Sequence, residues 1–114
     1  MRRNLLRQFG NEAEELATRF LEEAGFRIVE RNYYARKLGE IDIIAIKEGV
    51  LHFIEVKSAT KAFDPVYNLT PSKLRKVINS AQYYLKEKAL DLPFCIDALI
   101  VRRGEVELIE NITM

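Results

Sequence analysis

At 114 residues, with 48% hydrophobic and 31% charged residues, the chain is sized for a single globular domain, residues 1–114, with a core of its own rather than for a disordered polymer. Its formal net charge of +1 does not by itself announce a nucleic-acid binder, and a single cysteine, Cys95, rules out an internal disulfide. One histidine, His52, beside that one cysteine falls short of a zinc site and argues against Ser-His-Asp and Cys-His mechanisms.

The longest apolar runs reach roughly seven residues, against the ~20 that a membrane-spanning helix needs. Arg2-Arg3 is not followed by an apolar segment, so no signal peptide is expected and the expected location is cytoplasmic.

Leu5, Leu6, Phe9, Ala13, Leu16, Ala17, Phe20, Leu21 and Ala24 recur at three- and four-residue steps. This spacing predicts an amphipathic helix from about Arg3 to Ala24, stopped by Gly25. Gly10 is a place where the helix could break, with Asn11 and Glu14 as a capping pair. Phe26 to Arg31 reads as a strand and Asn32 as the start of a turn, with Tyr33 to Lys37 a further extended stretch.

Ile41 to Ile46 and Leu51 to Val56 are apolar and β-branched, and both read as strands. Glu48-Gly49 between them suits a tight hairpin, because glycine supplies the positive φ such a turn needs. Ala59 to Asn68 reads as a loop. Thr70-Pro71 is a helix start, with Thr as N-cap and Pro in the first turn. Leu74, Val77, Ile78, Ala81 and Leu85 form that helix's apolar face, and it is expected to end near Ala89. Phe94 to Val101 is a strand, and Arg103-Gly104 turns it into a last one, Val106 to Ile109. The expected class is α/β, a central mixed sheet flanked by helices in the order α-β-β-β-α-β-β.

The two hairpin strands carry the chemistry. Gly39-Glu40-Ile41-Asp42-Ile43-Ile44-Ala45 and Phe53-Ile54-Glu55-Val56-Lys57 place acids inside apolar runs, where a carboxylate is costly unless paired or bound to a cation. With Lys47 facing Val50 across the turn, Asp42 falls opposite Glu55 and Glu40 opposite Lys57. All four then project from one face, while His52 falls on the other. Directly opposed Cβ atoms stand roughly 4.5–5.5 Å apart. Two carboxylates that close suit a hard divalent cation such as Mg²⁺. The bland reading is a surface hairpin with solvated or ion-paired charges.

Three further residues stay open between two roles. Glu14 either caps with Asn11 or, with Ala13 and Ala17 as small neighbours, reaches the hairpin. Lys73, in the first turn of the second helix, where the macrodipole disfavours a cation, either points to solvent or faces anions. Asp97, in its apolar strand, either pairs with a basic residue or caps a turn. Basic charge also clusters around the hairpin, in Arg27 to Lys37 and in Lys57 to Lys76.

The hairpin motifs, with Glu14-Glu15-Leu16-Ala17, Gly25-Phe26, Arg31-Asn32, Lys73 with Ala81 and Leu85, and Phe94 with Asp97, resemble the YraN-like family of small bacterial proteins. That family is similar to the restriction-endonuclease-like superfamily, which includes archaeal Holliday-junction resolvases. Ala13 departs from the family's usual glycine, and Ala59 from a common basic residue.

The resemblance implies a restriction-endonuclease-like core in which Asp42, Glu55 and Lys57 match the metal and catalytic set and Glu14 the N-terminal helical acid. It implies a Mg²⁺- or Mn²⁺-dependent endonuclease acting on DNA, with branched or repair intermediates as the candidate substrate. Asp42, Glu55 and the Val56 carbonyl would hold the ion, and Lys57 would position or deprotonate the attacking water. Lys73, Lys61 and Lys76 on one side and Arg36 and Lys37 on the other would contact flanking phosphates. A homodimer would suit a two-strand cut. The other expectations are a nucleic-acid-binding module that keeps the fold without the chemistry, and a protein-interaction domain built on ion pairs.

Overall fold

The computed structural model of the chain describes residues 2–59 and 70–113, with side chains described for 12–58 and 70–113. Seven elements follow one another: α1 (Arg2–Glu23), β1 (Arg27–Tyr34), β2 (Glu40–Lys47), β3 (Val50–Ala59), α2 (Pro71–Glu87), β4 (Phe94–Arg102) and β5 (Glu105–Ile109). The strands form one five-stranded sheet in the order β1-β2-β3-β4-β5. Every neighbouring pair is antiparallel except β3 and β4, which run parallel and are joined through α2. This mixed sheet between two helices has the order that the sequence predicts and fits the restriction-endonuclease-like core that the resemblance implies.

The helices cover opposite faces. Ala13, Ala17 and Leu21 of α1 pack on Ile43, Ala45, Ile54, Leu99 and Val101. Val77, Ala81 and Tyr84 of α2 pack on Ile41, Ile44, Phe53 and Ile96. Both helices present small residues where they meet the sheet, so the layers approach closely and side chains from the strands fill the gap.

α1 runs unbroken past Gly10, so Asn11 and Glu14 do not cap a second helix. At α2 the expected start holds: the Thr70 side chain accepts a hydrogen bond from the Lys73 N–H, and Pro71 opens the helix. The β2–β3 hairpin turns at Glu48 (φ 51°) and Gly49 (φ 79°), both left-handed, which matches the twist of the strands it joins. Its register runs from Lys47 opposite Val50 to Ile43 opposite Ile54, as the turn predicts.

β1 departs from its predicted form. It continues through Asn32 to Tyr34 instead of turning there. Asn32 nevertheless has φ 54°, a conformation that asparagine tolerates better than most residues. The consequence is a change of face. Arg31 reaches Glu14 and Glu15 of α1, whereas Tyr33, two residues on, stacks edge-on against Tyr84 of α2 and hydrogen-bonds Glu87. A regular strand would send both the same way.

β2 changes face at the same rung. Ile43 opposes Arg31 and packs toward α1, while Ile41 opposes Tyr33 and packs toward α2. The residue between them is Asp42.

A candidate acidic metal centre at the splayed end of the hairpin

The regular β2–β3 pairing stops at Ile43 and Ile54, one rung short of Asp42 and Glu55. Side chains take over from the ladder there. Asp42 Oδ2 accepts the Val56 N–H at 2.8 Å, and the Asp42 N–H reaches the Glu55 carboxylate. In an extended strand the N–H and C=O of one residue point to the same neighbour, so the Val56 carbonyl also lies on the β2 side.

Asp42, Glu55 and Lys57 are each half-buried. Burial pushes both acids up, Asp42 to about 6 and Glu55 to about 8; the charges of Glu14 and Glu40 add to the rise at Asp42 and that of Asp42 adds to the rise at Glu55, with Lys57 acting the other way at both. Glu55 Oε1 is buried and has no hydrogen-bond partner. A buried carboxylate oxygen left bare costs free energy, which a proton or a cation relieves.

The face change at Asp42 corrects one expectation. Glu55 and Lys57 alternate with Ile54 and Val56, which pack toward α1, so they leave β3 on the α2 side. Ile41 also turns toward α2, so its neighbour Glu40 leaves β2 toward the α1 side, where its charge still raises Asp42 and Glu55. Glu40 comes under the charge of Glu14, which together with burial raises its pKa. Asp42 stands at the kink between the two sides, within reach of both.

Glu14 enters from the α1 side. Its Oε2 lies 3.5 Å from the Arg31 guanidinium and 3.4 Å from Asn32 Nδ2, and its charge raises Asp42. Arg31 also donates to Glu15 at 2.7 Å, which raises Arg31 and lowers Glu15. The Arg31-Asn32 pair thus holds the helical acid near Asp42.

The basic residues flank this end of the sheet. Gly39 (φ 146°) packs so closely against α2 that a Cβ there would stand 3.0 Å from Ser80 Oγ and 3.8 Å from Lys76 Cβ. Lys76 is therefore adjacent to the β1–β2 turn that carries Arg36 and Lys37. Lys73 and Lys76 on α2, and Arg36 and Lys37 on the turn, are all exposed. Lys61 lies outside the described residues.

A second cluster was not expected. His52, Cys95 and Asp97 converge on the α1 side of the sheet, with their ligand-type atoms all within 4.8 Å of one another. His52 and Cys95 are partners across the parallel β3–β4 pairing, and Asp97 follows two residues along the same face. Beside the one histidine and one cysteine, the fully buried Asp97 supplies a third group that could hold an ion. The clue was present, since Asp97 lies two residues from Cys95, but nothing in the spacing aligns β3 with β4.

This cluster is not a nucleophile-base-acid relay. Cys95 Sγ (3.1 Å) and Asp97 Oδ2 (2.5 Å) both contact His52 Nδ1, so no second ring nitrogen links the thiol to the acid. Burial and Asp97 push the Cys95 thiol up to about 12, away from a reactive thiolate.

The fold and the acidic rung define a protein of the restriction-endonuclease-like class. The chain matches the profile described as "Uncharacterised protein family UPF0102" over residues 13–109. It is 65% identical over 112 residues to a UPF0102 protein of Sulfurovum sp. (98% of this chain, 99% of the relative). It is 60% identical over 105 residues to one of Wolinella succinogenes (92% and 95%) and 57% identical over 110 residues to one of Helicobacter pylori (96% and 95%). The chain belongs to the UPF0102 family, the YraN-like proteins of the restriction-endonuclease-like superfamily. No helix among the described residues is long and apolar enough to cross a membrane.

Proposed function

We propose that this protein is a Mg²⁺- or Mn²⁺-dependent endonuclease that hydrolyses phosphodiester bonds in cytoplasmic DNA, with branched or repair intermediates as its substrates. The observation that carries the reading is the bare, buried Glu55 Oε1 beside Asp42, both with raised pKa values and both next to Lys57. An all-oxygen set of two carboxylates and a backbone carbonyl fits a hard divalent ion, which would take the remaining positions with water and phosphate oxygens. Such an ion, when bound, polarises the scissile phosphate and lowers the pKa of a water.

Asp42, Glu55 and the Val56 carbonyl would hold the ion. Lys57 is not a ligand. It orients the attacking water and holds a positive charge where negative charge develops on the phosphate. Glu14, held by Arg31 and Asn32 on the α1 side, would hold a second ion or a water. Lys73, Lys76, Arg36 and Lys37 line the approach and would contact flanking phosphates, with Lys61 expected to join them. A homodimer would carry a cut across both strands, and sedimentation with and without DNA tests it.

The deciding test is a cleavage assay in Mg²⁺ and in Mn²⁺ on linear, single-stranded, flapped and four-way DNA, with wild type beside Asp42→Asn. Cleavage by wild type that Asp42→Asn loses supports the reading. DNA binding without cleavage of any substrate in either metal overturns it in favour of a binding module.

A further inference from the structure

The His52–Cys95–Asp97 cluster lies on the opposite face of β3 from Glu55 and is not needed by the proposed cleavage. Its three side chains come from two strands in the middle of the sheet, so their backbone positions are held rigidly by the β3–β4 pairing. His52 and Asp97 are buried, and Cys95 is half-buried.

Protons account for two of the three contacts within the cluster. Asp97 Oδ1 accepts the Asn111 N–H at 2.9 Å and stands 3.3 Å from Cys95 Sγ. Asp97 Oδ2 and Cys95 Sγ crowd the same imidazole nitrogen, at 2.5 Å and 3.1 Å. With an N–H on Nδ1 serving Asp97 Oδ2 and the S–H serving Asp97 Oδ1, the 3.1 Å approach of Cys95 Sγ to Nδ1 has no proton of its own. Nitrogen, sulfur and oxygen donors therefore converge on one point.

That donor set has a matching ion. Zinc binds thiolate at about 2.3 Å and imidazole or carboxylate at about 2.0–2.2 Å, so tetrahedral ligand atoms stand roughly 3.2–3.6 Å apart. The observed contacts of 2.5–3.3 Å need only a small outward movement to admit it. Thiolate plus carboxylate balances a divalent charge, with neutral imidazole as the third donor. A cavity of about 440 Å³ adjoins His52 and Cys95, with Glu48, Glu110 and Asn111 also in its lining, so that water would supply a fourth ligand.

We propose that His52, Cys95 and Asp97 form a second cation site, for a borderline-soft divalent transition ion of the Zn²⁺ class, chemically distinct from the acidic rung. Binding displaces the Cys95 thiol proton to solvent and requires the imidazole to carry its own proton on Nε2, freeing Nδ1 for the ion. The site joins β3 to β4. Through Asp97 it also holds the segment after β5, where the Asn111 N–H meets Asp97 and the Ile112 N–H meets the Ile96 carbonyl. An ion there would clamp the C-terminal segment against the sheet.

The test uses the full chain and Co²⁺ as a spectroscopic probe, followed by competition with Zn²⁺. Cys95 is the sole cysteine, so a thiolate-to-metal charge-transfer band reports this site and no other. The expected result is a band that saturates at one equivalent, is displaced by Zn²⁺, persists in Asp42→Asn and is absent in Cys95→Ser. Zn²⁺ should also slow the reaction of Cys95 with a thiol reagent by at least tenfold. Circular dichroism confirms that Cys95→Ser is folded, and the protection measured on wild type stands on its own if it is not. No charge-transfer band, or thiol reactivity unchanged by saturating Zn²⁺, overturns the proposal. Loss of the band in Asp42→Asn also overturns it, by placing the ion at the other site, whereas failure of DNA cleavage leaves it intact.

Discussion

Two places in one sheet bury acids among apolar strands, and they solve the problem in opposite ways. Asp97 is fully buried, yet both of its oxygens meet protein partners: His52, Cys95 and the Asn111 N–H. Glu55 is less buried, yet Oε1 meets nothing and its neighbour Asp42 is a second acid. The first acid is part of how the chain folds. The second keeps one buried oxygen unpaired, a cost that a proton or a cation would relieve.

The sharpest way to break this contrast is to remove each acid in turn. Asp97→Ala leaves His52 without its carboxylate in the interior and the Asn111 N–H without its acceptor, and taking one member from a buried pair typically costs about 3–5 kcal/mol. Urea unfolding in the presence of a chelator should show that loss. Glu55→Gln, measured the same way, should be neutral or stabilising. Equal losses at both positions would mean that Glu55 is also a structural acid.

At the level of chemistry, Lys57→Ala should leave folding and metal binding nearly intact but cut cleavage about a hundredfold to a thousandfold, the usual cost of losing one preorganised charge-stabilising group. Single-turnover assays on highly purified protein measure it, since traces of other nucleases imitate weak activity. Equal cleavage by both proteins would remove the activity from this site.

Titration sharpens the comparison further. The folded pKa of Glu55 is raised from 4.5 to about 8, so the folded state keeps a proton that the unfolded chain releases. Its contribution is full below about 4.5 and is lost as the pH rises through about 8. Metal-free wild type should therefore lose stability across that window, and Glu55→Gln should lose less. Saturating Mg²⁺ should restore wild type alone, by about 2.7 kcal/mol at a hundredfold excess over Kd. An identical pH dependence in the two proteins would contradict the burial of an unrelieved carboxyl.

The smallest effects belong to the surface. Arg31→Ala removes a partly exposed pair with Glu15 and should cost at most about 1 kcal/mol of stability. Its influence on cleavage through Glu14 should exceed that. Lys73→Ala with Lys76→Ala should flatten the salt dependence of DNA affinity by about two, if each lysine neutralises one phosphate. An unchanged slope would move the DNA path away from α2.

Local chemistry made much of this molecule legible in the sequence. The order of elements, the Thr70-Pro71 helix start, the Glu48-Gly49 turn and the β2–β3 register all depend on neighbours within a few residues or across one tight turn. Propensity, capping and hydrophobic period act at that range. The acidic rung was readable for the same reason, because one hairpin brings Asp42 and Glu55 together.

What only the tertiary structure decided lies between elements distant in the chain. Whether Asn32 ended a strand or twisted it depended on α1 and α2 drawing Arg31 and Tyr33 to opposite faces, and that twist turned Glu40 toward Glu14. The meeting of His52 with Cys95 and Asp97 depended on the register of β3 against β4, which is set by the α2 crossover and by packing on both faces of the sheet. Side-chain period tells which residues share a face of one strand, but not which rung of a distant strand they will meet.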